Sequence, residues 1–187
     1  PNTKLLMLCT PNNPTGSVYT YENLKAIVEV LKKHPQIIVL ADEIYQHILY
    51  TGKHETLAQF PELEDRLIII NGVSKAYAMT GYRIGWLACH DKDFITAVKR
   101  LQGQTISCAT TIAQKAAEAA YAGPQECVEE MRQAFERRRN LIVGLAKEIP
   151  GMKVLEPQGA FYLFPDVSAF FGKQYNGQTI HNADEVV

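Results

Sequence analysis

The sequence predicts an α/β protein: a mostly parallel sheet with one antiparallel strand, followed by the start of a smaller α+β domain. Three observations predict it. Short continuous apolar runs recur, as in strands buried on both faces. The first two are joined by an amphipathic helical segment, which makes a strand–helix–strand unit. A fourth run follows the third too closely for a helical crossover and must run antiparallel.

Lys4–Cys9 is the first run, and it ends in Pro11-Asn12-Asn13-Pro14-Thr15-Gly16, a dense turn signal. A helix starts at Thr20, a good N-cap, with Glu22 in the first turn. Leu24, Ile27, Val28 and Leu31 form its apolar face, and Pro35 closes it. Ile37–Ala41 is the second strand, so the crossover is right-handed and the two strands are parallel. A loop with Thr51-Gly52 and Pro61 leads to the third run, Leu67–Ile70. Only about eight residues separate Lys75 from the fourth run, Ile84–Cys89.

Helices follow. One begins after Asp91 with Phe94, Val98 and Leu101 on one face, and another runs from Thr110 or Thr111 to Gly123-Pro124. A long one covers Gln125 to Glu148 with Val128, Met131, Phe135, Ile142 and Leu145 as its apolar positions. Its Arg137-Arg138-Arg139 run reads as a solvated face, since acidic residues surround it. Lys153–Leu155 and Ala160–Phe164 then flank Pro157-Gln158-Gly159, which predicts two strands and a turn. Asp184–Val187 reads as the opening of another helix. The chain starts at Pro1 without a methionine, which together with that opening predicts a piece of a longer protein.

Of the 187 residues, 47% are apolar and 21% charged, enough for a core in an ordinary soluble domain. A formal net charge of −1 gives no field that favours nucleic acid or an anionic membrane. No apolar run reaches membrane-spanning length. Cys9, Cys89, Cys108 and Cys127 have no paired spacing, and His34, His47, His54, His90 and His181 no ligand spacing, so the expectation is a reduced, cytoplasmic protein without a metal site. His47 reads as structural.

Chemistry concentrates at the strand ends. If the first three strands are parallel, Asn13, Asp42 and Lys75 all lie beyond their carboxyl ends, where open α/β sheets bind ligands. The antiparallel fourth strand returns Arg83 to that edge. Asn13, Asp42, Tyr45, Ser74, Lys75 and Arg83 together make the inventory that pyridoxal phosphate (PLP) needs. Its aldehyde takes an amine, its ring nitrogen a carboxylate, its phenolic oxygen hydrogen-bond donors, and its phosphate a cation and a hydroxyl. Singly, each admits a structural reading: Asn13 a turn residue, Asp42 a helix cap, Tyr45 core, Lys75 a loop residue, Arg83 a strand-edge charge. Their common edge is what argues for a site.

The segments Pro11–Gly16, Asp42-Glu43-Ile44-Tyr45, Ser74-Lys75-Ala76 and Gly81-Tyr82-Arg83-Ile84-Gly85 resemble the class I/II aminotransferases of fold type I, especially the bacterial aspartate aminotransferase subgroup. Gly159-Ala160-Phe161-Tyr162 is similar to the glycine-aromatic strand of that family's small domain. The resemblance implies a three-layer α/β/α PLP-dependent transferase fold. Residues 1–123 would then be part of the large PLP-binding domain, 124–148 the interdomain helix, and 149–187 the start of the small C-terminal domain. Lys75 is implied as the Schiff-base lysine and Asp42 as the partner of the ring nitrogen. Asn13 and Tyr45 would contact the phenolic oxygen, and Ser74 and Arg83 the phosphate. A cis Asn13-Pro14 bond is also implied. The family's glycine-containing phosphate loop, ring-stacking aromatic and carboxylate-binding arginine have no counterpart in this sequence.

By the same resemblance the expected reaction is transamination between an amino acid, aspartate or similar, and a 2-oxo acid such as 2-oxoglutarate, in a homodimer. A carbon–sulfur lyase or a synthase on the same fold, or a PLP-sensing regulator domain, would share these residues.

Overall fold

A computed structural model describes residues 2–186. Pro1 and Val187, which the terminal expectations include, lie outside the described residues. Strands β1 (Leu5–Cys9), β2 (Ile38–Asp42), β3 (Leu67–Gly72) and β4 (Gly85–Ala88) form one sheet in the order β1-β2-β3-β4. The first three are parallel and β4 is antiparallel to β3, as the short connection requires.

Helix α1 (Tyr21–Leu31) forms where the 3.6-residue apolar period begins. Thr20 caps it reciprocally: its hydroxyl accepts from Asn23 N, and Asn23 Oδ1 accepts from Thr20 N. The helix has no basic residue in its last turn. Arg66, 35 residues after Leu31 in sequence, supplies that charge by donating to the carbonyls of Leu31, His34 and Ile37 at 2.7–3.1 Å. Leu24, Val28 and Leu31 pack with Leu8, Val39 and Leu67 of the sheet and with Leu57, Phe60 and Leu63 of two 3-10 turns, forming the principal core.

The helices α2 (Lys92–Thr105), α3 (Thr111–Ala122) and α4 (Glu126–Lys147) follow, then a two-residue hairpin of β5 (Gln174–Tyr175) and β6 (Gln178–Thr179). Asp91 caps α2 as its position predicts, accepting from Phe94 N at 2.9 Å.

Several expectations are corrected. The apolar runs predict burial on both faces, but Leu5 and Met7 of β1 and Ile38 of β2 are exposed: nothing among the described residues covers those side chains. Residue Leu101 of α2 is likewise exposed. On α4 the buried residues are Val128, Val143 and Ala146, while Ile142 and Leu145 face out. Arg139 does not lie on a solvated face: its side chain is nine-tenths buried and donates to Pro157 O at 2.7 Å. The two strands expected around Pro157–Gly159 do not form with each other. Lys153 bridges Asp166 instead, and Gly159 bridges Leu49. Ala160 has φ +56, which breaks the extended run. Ala183–Glu185 closes as a single 3-10 turn capped by Asn182.

Candidate active site

The register sets Cys9, Asp42 and Ile70 side by side at the carboxyl ends of three neighbouring parallel strands. Two backbone bonds extend the ladder past these residues, from Thr10 N to Asp42 O at 3.2 Å and from Glu43 N to Ile70 O at 2.9 Å. The segments that carry Asn13, Tyr45 and Lys75 therefore leave the sheet together. Asn13-Pro14 is cis, as the resemblance implied, and so is Thr10-Pro11.

The turn after β3 holds the lysine. Val73 and Ala76 are buried on either side of Ser74 and Lys75. Two residues on, Tyr77 packs edge-on against Tyr121 and donates to Gln125, while Trp86 donates to the Tyr121 hydroxyl. This aromatic chain ties the lysine turn to α3, α4 and β4. The Lys75 ammonium rests 5.7 Å from the Tyr45 ring centre and 5.4 Å from that of Phe161, with no hydrogen bond or salt bridge among the described residues.

Asp42 leads the next segment. Its Oδ1 accepts from Ile44 N at 3.1 Å, and among the described residues Oδ2 has no partner. Tyr45 is buried, and its hydroxyl lies 2.5 Å from that of Tyr162. Burial first, and then the Tyr162 hydroxyl, pushes the Tyr45 phenol well above its ordinary range, so it is protonated at every physiological pH. Asn13 Nδ2 donates to the same Tyr162 oxygen at 3.3 Å.

Glu43 and His54 brace this segment from behind. The buried Glu43 carboxylate accepts from Thr56 Oγ1 at 2.6 Å and lies 3.2 Å from His54 Nε2. The ring nitrogens of His54 are buried without a hydrogen bond, so that contact is a close approach and not a directed bond.

Ser74 and Arg83 each sit two residues beyond the last paired residues of β3 and β4, Gly72 and Gly85. The two glycines permit this close pairing, since a Cβ on Gly72 would come within 2.9 Å of Gly85 Cα. Arg83 takes the left-handed conformation, φ +51, and its Nη1 donates to Thr80 O at 2.8 Å. It lines an open groove with Asn71, Ile84 and Trp86. No hydrogen bond or ion pair joins it to Ser74, Asp42 or Lys75 among the described residues. Of the six sequence-derived residues, contacts thus link Asn13, Tyr45 and Lys75, Asp42 lies beside them by register, and Ser74 with Arg83 forms a separate flank.

Phe161 and Tyr162 complete the constellation, and sequence reasoning left them out of the site. They reach it because Gln158 N and Gly159 N both donate to Gly16 O, and Ala160 N to Ile48 O. Gly159 and Gly16 let these backbones touch: a Cβ on Gly159 would lie 2.7 Å from Pro11 Cβ, and one on Gly16 2.4 Å from Pro157 Cβ. The glycine-aromatic run was the available signal.

The comparisons agree with this architecture. The sequence matches the family profile for aminotransferase class I and II over residues 1–179. It is 46% identical over 191 residues to an aspartate aminotransferase of Pinus pinaster, covering 100% of this chain and 38% of that protein. Against an aspartate aminotransferase of Geobacillus stearothermophilus it is 51% identical over 168 residues, covering 89% and 42%. A crystal structure of an aspartate aminotransferase from Rhizobium meliloti superposes with a TM-score of 0.93 at 39% identity, covering 100% of this chain and 47% of that one. The fold is therefore the α/β fold of the PLP-dependent aminotransferases. The chain belongs to the class I and II aminotransferase family, whose members depend on PLP. It spans about two fifths of the length of the curated relatives it matches. No helix among the described residues is long and apolar enough to cross a membrane.

Proposed function

We propose that this chain carries the catalytic lysine and most of the cofactor-binding side chains of an aminotransferase that moves an amino group from aspartate, or a similar amino acid, to a 2-oxo acid such as 2-oxoglutarate. The observation that carries the proposal is an unpaired Lys75 amine among Tyr45, Phe161 and the segment led by Asp42, all at one sheet edge. The donor set fits PLP. An amine and a carboxylate oxygen are both unpartnered among the described residues, and a neutral phenol and an amide stand beside them.

When bound, PLP supplies the aldehyde and the electron-withdrawing ring on which amino-group transfer depends. Lys75 Nζ would hold the aldehyde carbon at rest. The same amine, when free, would move the proton at the substrate α-carbon. Asp42 Oδ2 would keep a proton on the ring nitrogen. Tyr45 and Asn13 would donate to the phenolic oxygen. Ser74 and the guanidinium N–H groups of Arg83 that Thr80 does not use would bind the phosphate. The Tyr45 and Phe161 rings flank the lysine amine at 5.7 and 5.4 Å.

We assign residues 1–123 to the large domain, 124–148 to the interdomain helix and 149–187 to the small domain of a longer homodimeric, cytoplasmic enzyme. The relatives' lengths support the longer protein. The test is amino-group transfer by the full-length protein from aspartate to 2-oxoglutarate, following both products. The expected result is stoichiometric oxaloacetate and glutamate, with Lys75→Ala slower by at least about a thousandfold. Release of ammonia or sulfide without transfer would replace the proposal with a lyase on the same fold.

A further inference from the structure

We propose that Tyr50 is a positioning residue: by a hydrogen bond to Ala160 O it holds Ala160 in a left-handed turn, and that turn sets the Phe161 ring beside the Lys75 amine. The consequence for the cofactor rests on the functional reading above, whereas the placement of Phe161 does not. No hydrogen bond, ion pair or ring contact joins Tyr50 to Lys75 or Asp42 among the described residues. It acts through Ala160.

Ala160 stands where alanine is costly. It is fully buried with φ +56, a conformation that its Cβ disfavours by roughly tenfold or more in population. The surrounding structure must hold it there. One segment takes both of its backbone polar groups. Ala160 N donates to Ile48 O at 2.8 Å, and Ala160 O accepts from the Tyr50 hydroxyl. Any residue at position 48 would supply the first bond. The second needs the phenol.

Tyr50 is fixed in turn. Tyr50 N donates to Gln158 O at 2.8 Å, the Arg139 guanidinium lies 4.8 Å from its ring centre, and Arg139 Nη1 donates to Pro157 O at 2.7 Å. Burial keeps the phenol protonated through physiological pH, so the donor persists. Past the turn comes Phe161. Its ring meets Tyr45 edge to face at 5.4 Å, stacks on Phe135 at 5.1 Å and lies 5.4 Å from Lys75 Nζ. Tyr45 and Tyr50 belong to one short segment, which therefore grips Phe161 at its ring and at the turn before it.

Tyr50→Phe removes one oxygen and keeps the ring against Arg139. Without the bond Ala160 relaxes out of the left-handed region and carries Phe161 away from the amine. Glycine occupies that region without penalty, so Ala160→Gly should restore the placement in the Tyr50→Phe background. A bond that only stabilised the fold would not be rescued in this way. The experiment uses the full-length protein as wild type, Tyr50→Phe, Ala160→Gly and the double variant. In the cofactor-free form, brief acetylation with acetic anhydride and peptide mass mapping reads how open the Lys75 amine is, against the exposed Lys153. Visible absorbance reads PLP affinity. Tyr50→Phe should raise Lys75 labelling by about threefold or more and weaken PLP binding by about three- to tenfold, the range of one lost hydrogen bond. The double variant should match Ala160→Gly alone within about twofold in both measurements. Unchanged Lys75 labelling in Tyr50→Phe overturns the inference, and so does an equal rise with and without Ala160→Gly. A wild-type protein that takes up no PLP overturns the functional reading, and the labelling still decides the placement of Phe161.

Discussion

At the scale of single residues, burial holds the phenols of Tyr45 and Tyr50 in their protonated form. Tyr50 shows this in a form that can be read directly. Its hydroxyl donates to Ala160 O, its ring carries the Arg139 guanidinium at 4.8 Å, and burial pushes its phenol up to about 12 in spite of that cation. In an unfolded chain the same phenol ionises near 10. Between those values the unfolded state releases a proton that the folded state keeps. Stability from Tyr50 is thus fully present below pH 10 and is lost as pH rises toward 12. Tyrosinate absorbance of the folded protein, compared with Tyr50→Phe, should show one step near pH 12 missing from the variant. A missing step near 10 would contradict the burial. The placement of Lys75, Asp42 and Asn13 at one edge was legible from sequence because each closely follows an apolar run, and the ends of parallel strands share one edge. Phe161 and Tyr162 were not assigned to the site, since they are more than 100 residues from Tyr45 and arrive through backbone bonds to Gly16 and Ile48 that leave no local pattern.

At the scale of elements, the strands and helices were legible wherever spacing alone decides. The fourth strand had to turn back, and Thr20 and Asp91 had to cap, because chain length and cap chemistry permit little else. Elements that depend on distant partners were not. The segment around Gly159 pairs with Leu49 and not with its neighbours, and the buried face of α4 is set by Val143 and Ala146 against what lies beside them. The end of α1 is the sharpest case. Its last carbonyl, Leu31 O, is bonded by Arg66 across the fold, together with His34 O and Ile37 O just past the helix. A charged donor shared among three partly buried carbonyls is worth more than an ordinary hydrogen bond. Arg66→Ala should lower unfolding stability by about 2–3 kcal/mol, measured by urea denaturation, with no change in the m-value. A change below about 0.5 kcal/mol would mean that water replaces the arginine without cost.

At the scale of the whole molecule, the chain gathers a parallel-sheet edge, a lysine turn and a returning aromatic segment into one place. The aromatic links Trp86–Tyr121–Tyr77 and Phe135–Phe161 join the helices to that edge. The chain also leaves apolar surface uncovered on β1 and α2, and it spans about two fifths of its curated relatives. The proposed function makes the site one part of a longer enzyme's machinery and puts Lys75 at its centre. Borohydride reduction of the full-length protein in the presence of PLP, followed by peptide mass mapping, tests that centre most directly. The expected result is a single stable pyridoxyl adduct on the peptide containing Lys75, and none there in Lys75→Ala. An adduct on another lysine, with the Lys75 peptide unmodified, would contradict it.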